Sequence, residues 1–350
     1  MVKEPFQCNN VNGSVNLITG SLEYSNYGYF PSKTWAYVFT GVFGAGLMVQ
    51  LLLSIFYRAW WTLPTLTAGT AVEVLGWGGR VWSATSWKWD PNDGGIWNTS
   101  FGAYIMQICA LVIAPTVYSA ANYILFGKII TTSGPTYSSL HAQSFSIIFV
   151  IADIACLVVQ GTGGGIAGSA EDENGTDIGA YIMTAGVVLQ LIVTILFSGL
   201  FIEWIWRKKN DKPARKQYNP FGRWRNGKNK DRSSIEMPLS NVGGVETPDS
   251  ASENARKQQD YVMTSSSNIP YNGPSLSNQK VNILCGLITV GTFLIIVRSV
   301  YRSVELLDGW TGKIAINEPL FLGLDAFLMA LFIYIYTIIY PGFFFGRRLF

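Results

Sequence analysis

The sequence predicts an all-α protein: a seven-helix transmembrane bundle with its N-terminus outside and its C-terminus in the cytosol. Three observations carry that expectation. Only 13% of the 350 residues are charged and 49% are hydrophobic, about half the charge of a soluble domain. Mean hydropathy is positive, at +0.25. The charges are also bunched, which leaves long apolar stretches between them.

A helical crossing needs about 20 apolar residues. Seven segments meet that need: 34–57, 62–84, 102–127, 144–163, 179–203, 281–302 and 319–340. They divide the chain into an extracellular tail (1–33), spans one to five (34–206), a cytosolic loop (207–280), spans six and seven (281–342) and a cytosolic tail (343–350). The tail before the first span is polar and lacks the apolar core of a cleavable signal peptide, so that span is expected to act as its own anchor. The second segment, LPTLTAGTAVEVLGWGGRVWSAT, is the least apolar because it holds Glu73, Arg80 and several glycines, and the charge topology requires it. Trp and Tyr gather at span ends, as in WKWDPNDGGIW and YIYTIIY, where interfacial rings belong.

Lys and Arg set the orientation. The predicted cytosolic side carries Arg58, Lys128, the basic loop after the fifth span, Arg347 and Arg348. The outer side carries Lys3, Lys33, Lys88 and Lys313. The three N-x-S/T sequons, at Asn12, Asn98 and Asn174, all fall outside and are the candidate glycosylation sites. The loop opens with a basic stretch, 207–232, suited either to anionic lipid headgroups or to fixing topology. It continues rich in Ser, Asn, Pro and Gly, a composition expected to stay disordered.

Several chemistries are excluded. GGGIAG at 163–168 has the letters of a dinucleotide-binding turn, but a membrane span precedes it and an acidic loop follows. A glycine-rich helix exit, or a close approach of neighbouring helices, is expected instead. One histidine, His141, in a cytosolic loop cannot build a catalytic triad or a multi-histidine metal site. No lysine falls within the predicted spans, and no enzyme activity is expected.

The informative residues are polar and intramembrane. An ionised side chain at the bilayer centre costs about 2.5–3.5 kcal/mol on insertion scales. Unpaired, Glu73, Arg80, Asp153, Arg298 and Asp325 would together cost on the order of 12–17 kcal/mol. Glu73 and Arg80 lie two helical turns apart on one stripe, and Asp153 and Gln160 repeat that interval. Arg298, Arg302 and Glu305 form a third stripe, and the seventh span adds Asp325. Pro115 frees a backbone carbonyl in the third span. Interhelical clamps and a hydrated cavity reaching from the outer side to mid-bilayer both satisfy these charges; four helices contributing at once favours the cavity. Its expected wall is Glu73, Arg80, Asp153, Gln160, Arg298, Arg302 and Asp325. Mixed charge suits a zwitterionic or amine-bearing lipid.

With these stretches placed, the sequence resembles the fungal lipid-translocating exporter family, which includes the aminocholesterol-resistance and sphingoid long-chain-base resistance proteins. The resemblance is carried by EVLGWGGR (73–80), LVIAPTVYSAANYILFGKII (111–130), DIACLVVQGTGGG (153–165) and RSVYRSVELLDGW (298–310). Glu318, Pro319, Asp325, Tyr340, Pro341 and Gly342 complete it. It implies seven spans, a glycosylated outer N-terminus, fungal origin, residence in the plasma membrane and the handling of amphipathic lipids or toxic amphiphiles, sphingoid bases among them. One branch is linked to porphyrin and haem movement. The family's final motif reads HPG, and Tyr340 stands in place of that histidine. Nothing in the resemblance implies a cofactor, a metal or a nucleic-acid partner. A translocator is the first functional expectation, and a seven-helix receptor or sensor, sharing the layout of G-protein-coupled receptors, is the alternative.

Overall fold

The computed structural model describes residues 8–11, 14–17, 31–90, 95–98, 101–133, 137–138, 142–169, 173–212, 277–307, 314 and 316–345. Asn12, His141 and the 213–276 part of the long loop lie outside the described residues.

Helix α1 spans Lys33–Phe56. The chain then reverses through Arg58, whose φ of 52° is left-handed, and re-enters by a short 3-10 turn, Trp60–Thr62, and a π stretch, Leu63–Thr67. Helix α2 follows over Ala68–Thr85. Pro64 stands near the start of the π stretch, where its missing N–H is least costly. Helices α3 (Phe101–Ser133), α4 (Ala142–Ser169), α5 (Glu173–Lys209) and α6 (Asn278–Leu307) come next. Helix α7 changes winding along its length: α over Glu318–Phe321, π over Leu322–Phe327 and α again over Leu328–Ile338. A final turn, α8, covers Pro341–Phe345.

Six of these segments are long and apolar enough to cross a membrane, the last running through α7 and α8 (Glu318–Phe345). Helix α2 is the seventh; its two charges and its glycines keep it below that mark. Large apolar side chains including Leu52, Phe56, Val158, Leu196, Ile202 and Phe293 stay exposed on these helices. A surface of that kind needs hydrocarbon rather than water around it. The bundle expected from sequence is therefore present as a multi-pass membrane protein.

Two small hairpins were not expected. Strand β1 (Cys8–Val11) pairs antiparallel with β2 (Ser14–Leu17), and β3 (Trp87–Asp90) with β4 (Gly95–Asn98). The second pair closes the α2–α3 connection, so Asn98 ends a strand.

Neighbouring helices pack in chain order, and α1 closes the ring by meeting α7. Helix α3 is the most enclosed of the apolar spans and also touches α6. Its aromatic core includes Tyr123, Phe126, Phe145, Phe149 and Phe197, whose rings meet across α3, α4 and α5.

Two boundaries correct the sequence reading. Helix α4 runs on through the glycines to Ser169, so they do not end it. They let α5 approach: a Cβ on Gly163 would lie 2.4 Å from the Met183 amide nitrogen, and one on Gly179 2.4 Å from that of Ala167. This small-residue contact is the membrane substitute for hydrophobic packing. Helix α3 runs past the predicted end of its span and takes Lys128 inside it. The ammonium lies 5.1 Å from the Trp61 ring and 5.8 Å from that of Phe345, contacts that shelter a cation.

Candidate functional site

Helices α2, α6 and α7 bring Glu73, Arg80, Arg298, Arg302 and Asp325 together, with Glu305 and Glu318 at the rim. Asp325 is the hub. Its Oδ1 lies 2.6 Å from Arg298 Nε, and Arg302 grips it with Nε at 3.3 Å and Nη2 at 3.0 Å. Arg302 Nη1 donates to Glu305 Oε2 at 2.9 Å, the pair expected from their spacing on one helix. Arg80 Nη2 reaches Glu318 Oε1 at 2.6 Å, and that oxygen also accepts the Ser32 backbone N–H at 3.0 Å. The Phe321 ring sits between two guanidinium groups, 4.9 Å from Arg80 and 5.3 Å from Arg302.

Pro115 explains one further contact. A proline in a helix cannot donate to the carbonyl four residues back, which here is Leu111. Arg298 Nη2 donates to that carbonyl oxygen instead. The sequence exposed the carbonyl, and the fold supplies its partner from α6.

Charge counting isolates Glu73. The arginines at 80, 298 and 302 are matched by the carboxylates at 305, 318 and 325. Glu73 feels Arg298, Arg302 and Asp325 electrostatically, yet among the described residues it makes no ion pair, and its Oε1 has no hydrogen-bond partner there. It is 1% exposed, whereas Arg302, Glu305 and Glu318 at the rim keep 8–9%. Direct ion pairs hold the arginines of this cluster.

Below Glu73 the polar groups continue. Tyr118 OH donates to Thr70 Oγ1 at 3.3 Å, Thr70 Oγ1 to Gln50 Oε1 at 2.8 Å, and Gln50 Nε2 to Thr337 Oγ1 at 3.2 Å. Asn122 donates to Thr292 and accepts from Tyr336. At the far end the Tyr340 hydroxyl lies 3.0 Å from Ser54 Oγ and 2.6 Å from Thr62 Oγ1. A polar column thus descends through α1, α2, α3, α6 and α7. Tyr340 anchors its lower end.

Asp153 and Gln160 do not join this column. Helix α3 divides the bundle interior: Leu111, Tyr118 and Asn122 face the column, while Thr116, Ser119 and Tyr123 share another stripe. Gln160 Nε2 donates to Gln190 Oε1 at 2.9 Å, and Gln190 Nε2 to Thr116 Oγ1 at 2.8 Å. Asp153 stands beside Tyr123, next to Ser119 and Thr194. The expected single cavity is therefore two polar networks, one on each side of α3.

Several site residues lie outside the expected wall, Glu318, Gln190 and Thr116 among them. Glu318 enters the sequence reading only through the family motif; it sits at a span edge, where a carboxylate is cheap, and counting arginines against acids would have marked it. Gln190 and Thr116 are neutral and carry no charge signal.

A family model described as RTA1 like protein matches residues 66–348. The sphingoid long-chain base transporter RSB1 of Saccharomyces cerevisiae (strain ATCC 204508 / S288c) is 26% identical over 331 residues, 92% of this chain and 74% of that protein. Protein RTA1 of the same strain is 24% identical over 246 residues, 69% of this chain and 57% of that protein. Protein RTM1 of Saccharomyces cerevisiae is 30% identical over 138 residues, 38% of each chain. No solved structure matches the chain. The family match covers α2 to α8, and with it every helix that contributes to the two polar networks except α1: the chain belongs to the RTA1-like protein family.

Proposed function

We propose that this chain is a transporter of amine-bearing amphipathic lipids, sphingoid long-chain bases foremost, which resides in the plasma membrane and takes the headgroup along the α1–α2–α3–α6–α7 column. The observation that carries the reading is Glu73, a buried carboxylate left over when every arginine of its cluster already has an acid. A sphingoid base presents one ammonium, two hydroxyls and a long chain. The ammonium suits the surplus carboxylate. The hydroxyls suit the Tyr118–Thr70–Gln50 relay beneath it, and the chain can remain in the bilayer. A porphyrin, with its own carboxylates, would need cations that this cluster has already committed. The RSB1 relative, named as a sphingoid long-chain base transporter, supports the same substrate class.

The test is transbilayer movement of a labelled sphingoid base in liposomes holding the purified full-length protein. Protein-containing vesicles should equilibrate the base faster than empty ones. Glu73→Gln should slow that movement about tenfold, the loss of one charge-assisted contact. A phosphorylated base, with its added negative charge, should move no faster than in empty vesicles. Equal rates for the unmodified base with and without protein would end the transport reading.

A further inference from the structure

The second network holds four buried oxygens that make no hydrogen bond: both carboxylate oxygens of Asp153, Ser119 Oγ and Tyr123 OH. All three residues are about 1% exposed. The Tyr123 hydroxyl stands within hydrogen-bonding reach of Thr194, Asp153 and Ser119, but none of these contacts has full hydrogen-bond geometry. Thr194 Oγ1 adds a fifth oxygen; its proton goes to the Gln190 carbonyl at 2.9 Å, which leaves its lone pairs turned to other partners. Five oxygens from three helices thus lie at or around the Tyr123 hydroxyl, near the middle of α4.

That arrangement is costly as it stands. A buried donor or acceptor without a partner loses its solvation outright, and a carboxylate inside the membrane costs more again. The titratable groups facing Asp153 are Tyr123 from α3 and Cys156 from its own helix, and α5 offers only the Thr194 hydroxyl. No cationic side chain is among them. Among the described residues nothing balances an ionised Asp153.

We propose that Asp153, Ser119, Tyr123 and Thr194 form a buried site for one monovalent cation, a sodium ion or a proton. An all-oxygen donor set selects a hard cation, and a single carboxylate balances one positive charge but not two. The Tyr123, Phe149 and Phe197 rings pack together beside the site, with centroids 4.6–5.8 Å apart, so its surroundings suit a small ion better than a bulky lipid ammonium. The Thr116–Gln190–Gln160 ladder begins one to two turns away and runs toward the end of the bundle where α4 meets α5. Gln160 Oε1 there is itself unpartnered, so a small ion has polar groups along its way in. Use of this ion to drive transport rests on the function proposed above, whereas its binding does not.

The experiment measures the thermal unfolding midpoint of the full-length protein in detergent. Sodium chloride is exchanged for N-methylglucamine chloride at constant ionic strength, from about pH 5 to about pH 8. A ligand that binds only the folded state raises the midpoint in a saturable way. Sodium occupancy predicts a saturable rise with sodium. Proton occupancy predicts no sodium effect and a midpoint that falls as pH rises, because the folded chain then holds a proton that the unfolded chain releases. In either case Asp153→Asn should abolish the dependence. Tyr123→Phe keeps the ring packing and removes one oxygen, so it should weaken the apparent affinity about tenfold, and it serves if the Asp153 variant does not fold. The site is refuted if the wild-type midpoint ignores both ions, or if its dependence persists undiminished in both variants.

Discussion

Glu73 and Asp325 are both buried carboxylates in the same cluster, and they should respond oppositely to loss of charge. Asp325 neutralises Arg298 and Arg302 together, at 2.6 and 3.0 Å. Asp325→Asn would leave the buried Arg298 guanidinium without an acid and Arg302 with Glu305 alone, and breaking a buried pair typically costs about 3–5 kcal/mol. Glu73 neutralises nobody, so Glu73→Gln removes an unmatched charge while keeping the shape and should leave stability unchanged or slightly higher. Thermal unfolding of both variants in the same detergent checks the contrast. A Glu73→Gln protein as unstable as Asp325→Asn would show that Glu73 is a structural partner after all. The residues of this cluster were legible because charge inside a membrane is conspicuous. Their division was not. Glu73/Arg80 and Asp153/Gln160 have the same seven-residue interval, and spacing on one helix cannot say which neighbour the stripe meets. Helix order around α3 decides that, and it sends the first pair toward α6 and α7 and the second toward α5.

At the scale of elements, the span positions were readable and their ends were not. In a membrane bundle the lipid-facing and core-facing sides are both apolar, so periodicity does not mark where packing begins. The glycines of α4 suit either a helix exit or a close approach of neighbouring helices, and in this bundle they serve the second: they are the contact itself. Gly163 packs on the backbone of α5, whereas Gly161, two residues away, has nothing within 4 Å of a built Cβ. Gly163→Leu should therefore prevent α4 and α5 from docking and abolish the monodisperse peak in fluorescence-detected size-exclusion chromatography. Gly161→Leu should leave that peak intact. Equal behaviour of the two would mean that the helices have room to separate. The π stretches of α7 and of the α2 entrance, by contrast, have no signature in composition. They became visible only as backbone windings beside the residues they carry, Asp325 among them.

For the whole molecule, alternation of seven helices assigns every connection to one of two ends. The entrance to α1, the β3–β4 hairpin, the α4–α5 turn and the rim formed by Glu305 and Glu318 all share one end. The basic residues Arg58, Arg207, Lys208, Lys209 and Lys212 share the other, as does α8. Lys and Arg are retained on the cytosolic side, so the rim of the charged cluster is proposed to face outward, with Asn12, Asn98 and Asn174 on that side. Glycan mapping in a eukaryotic host tests the orientation. Endoglycosidase treatment should sharpen and speed the migration of the wild type, and the shift should shrink in Asn12→Gln and Asn174→Gln. Asn98 closes a strand beside the end of α2 and is expected to contribute least, since a sequon close to the bilayer is a poor acceptor. A new sequon placed within 213–276 should stay unmodified. Its modification, with the native sequons bare, would invert the bundle: the ion-paired rim would then face the cytosol, and a headgroup leaving the cell would enter the polar column at the rim instead of at the Tyr340 end.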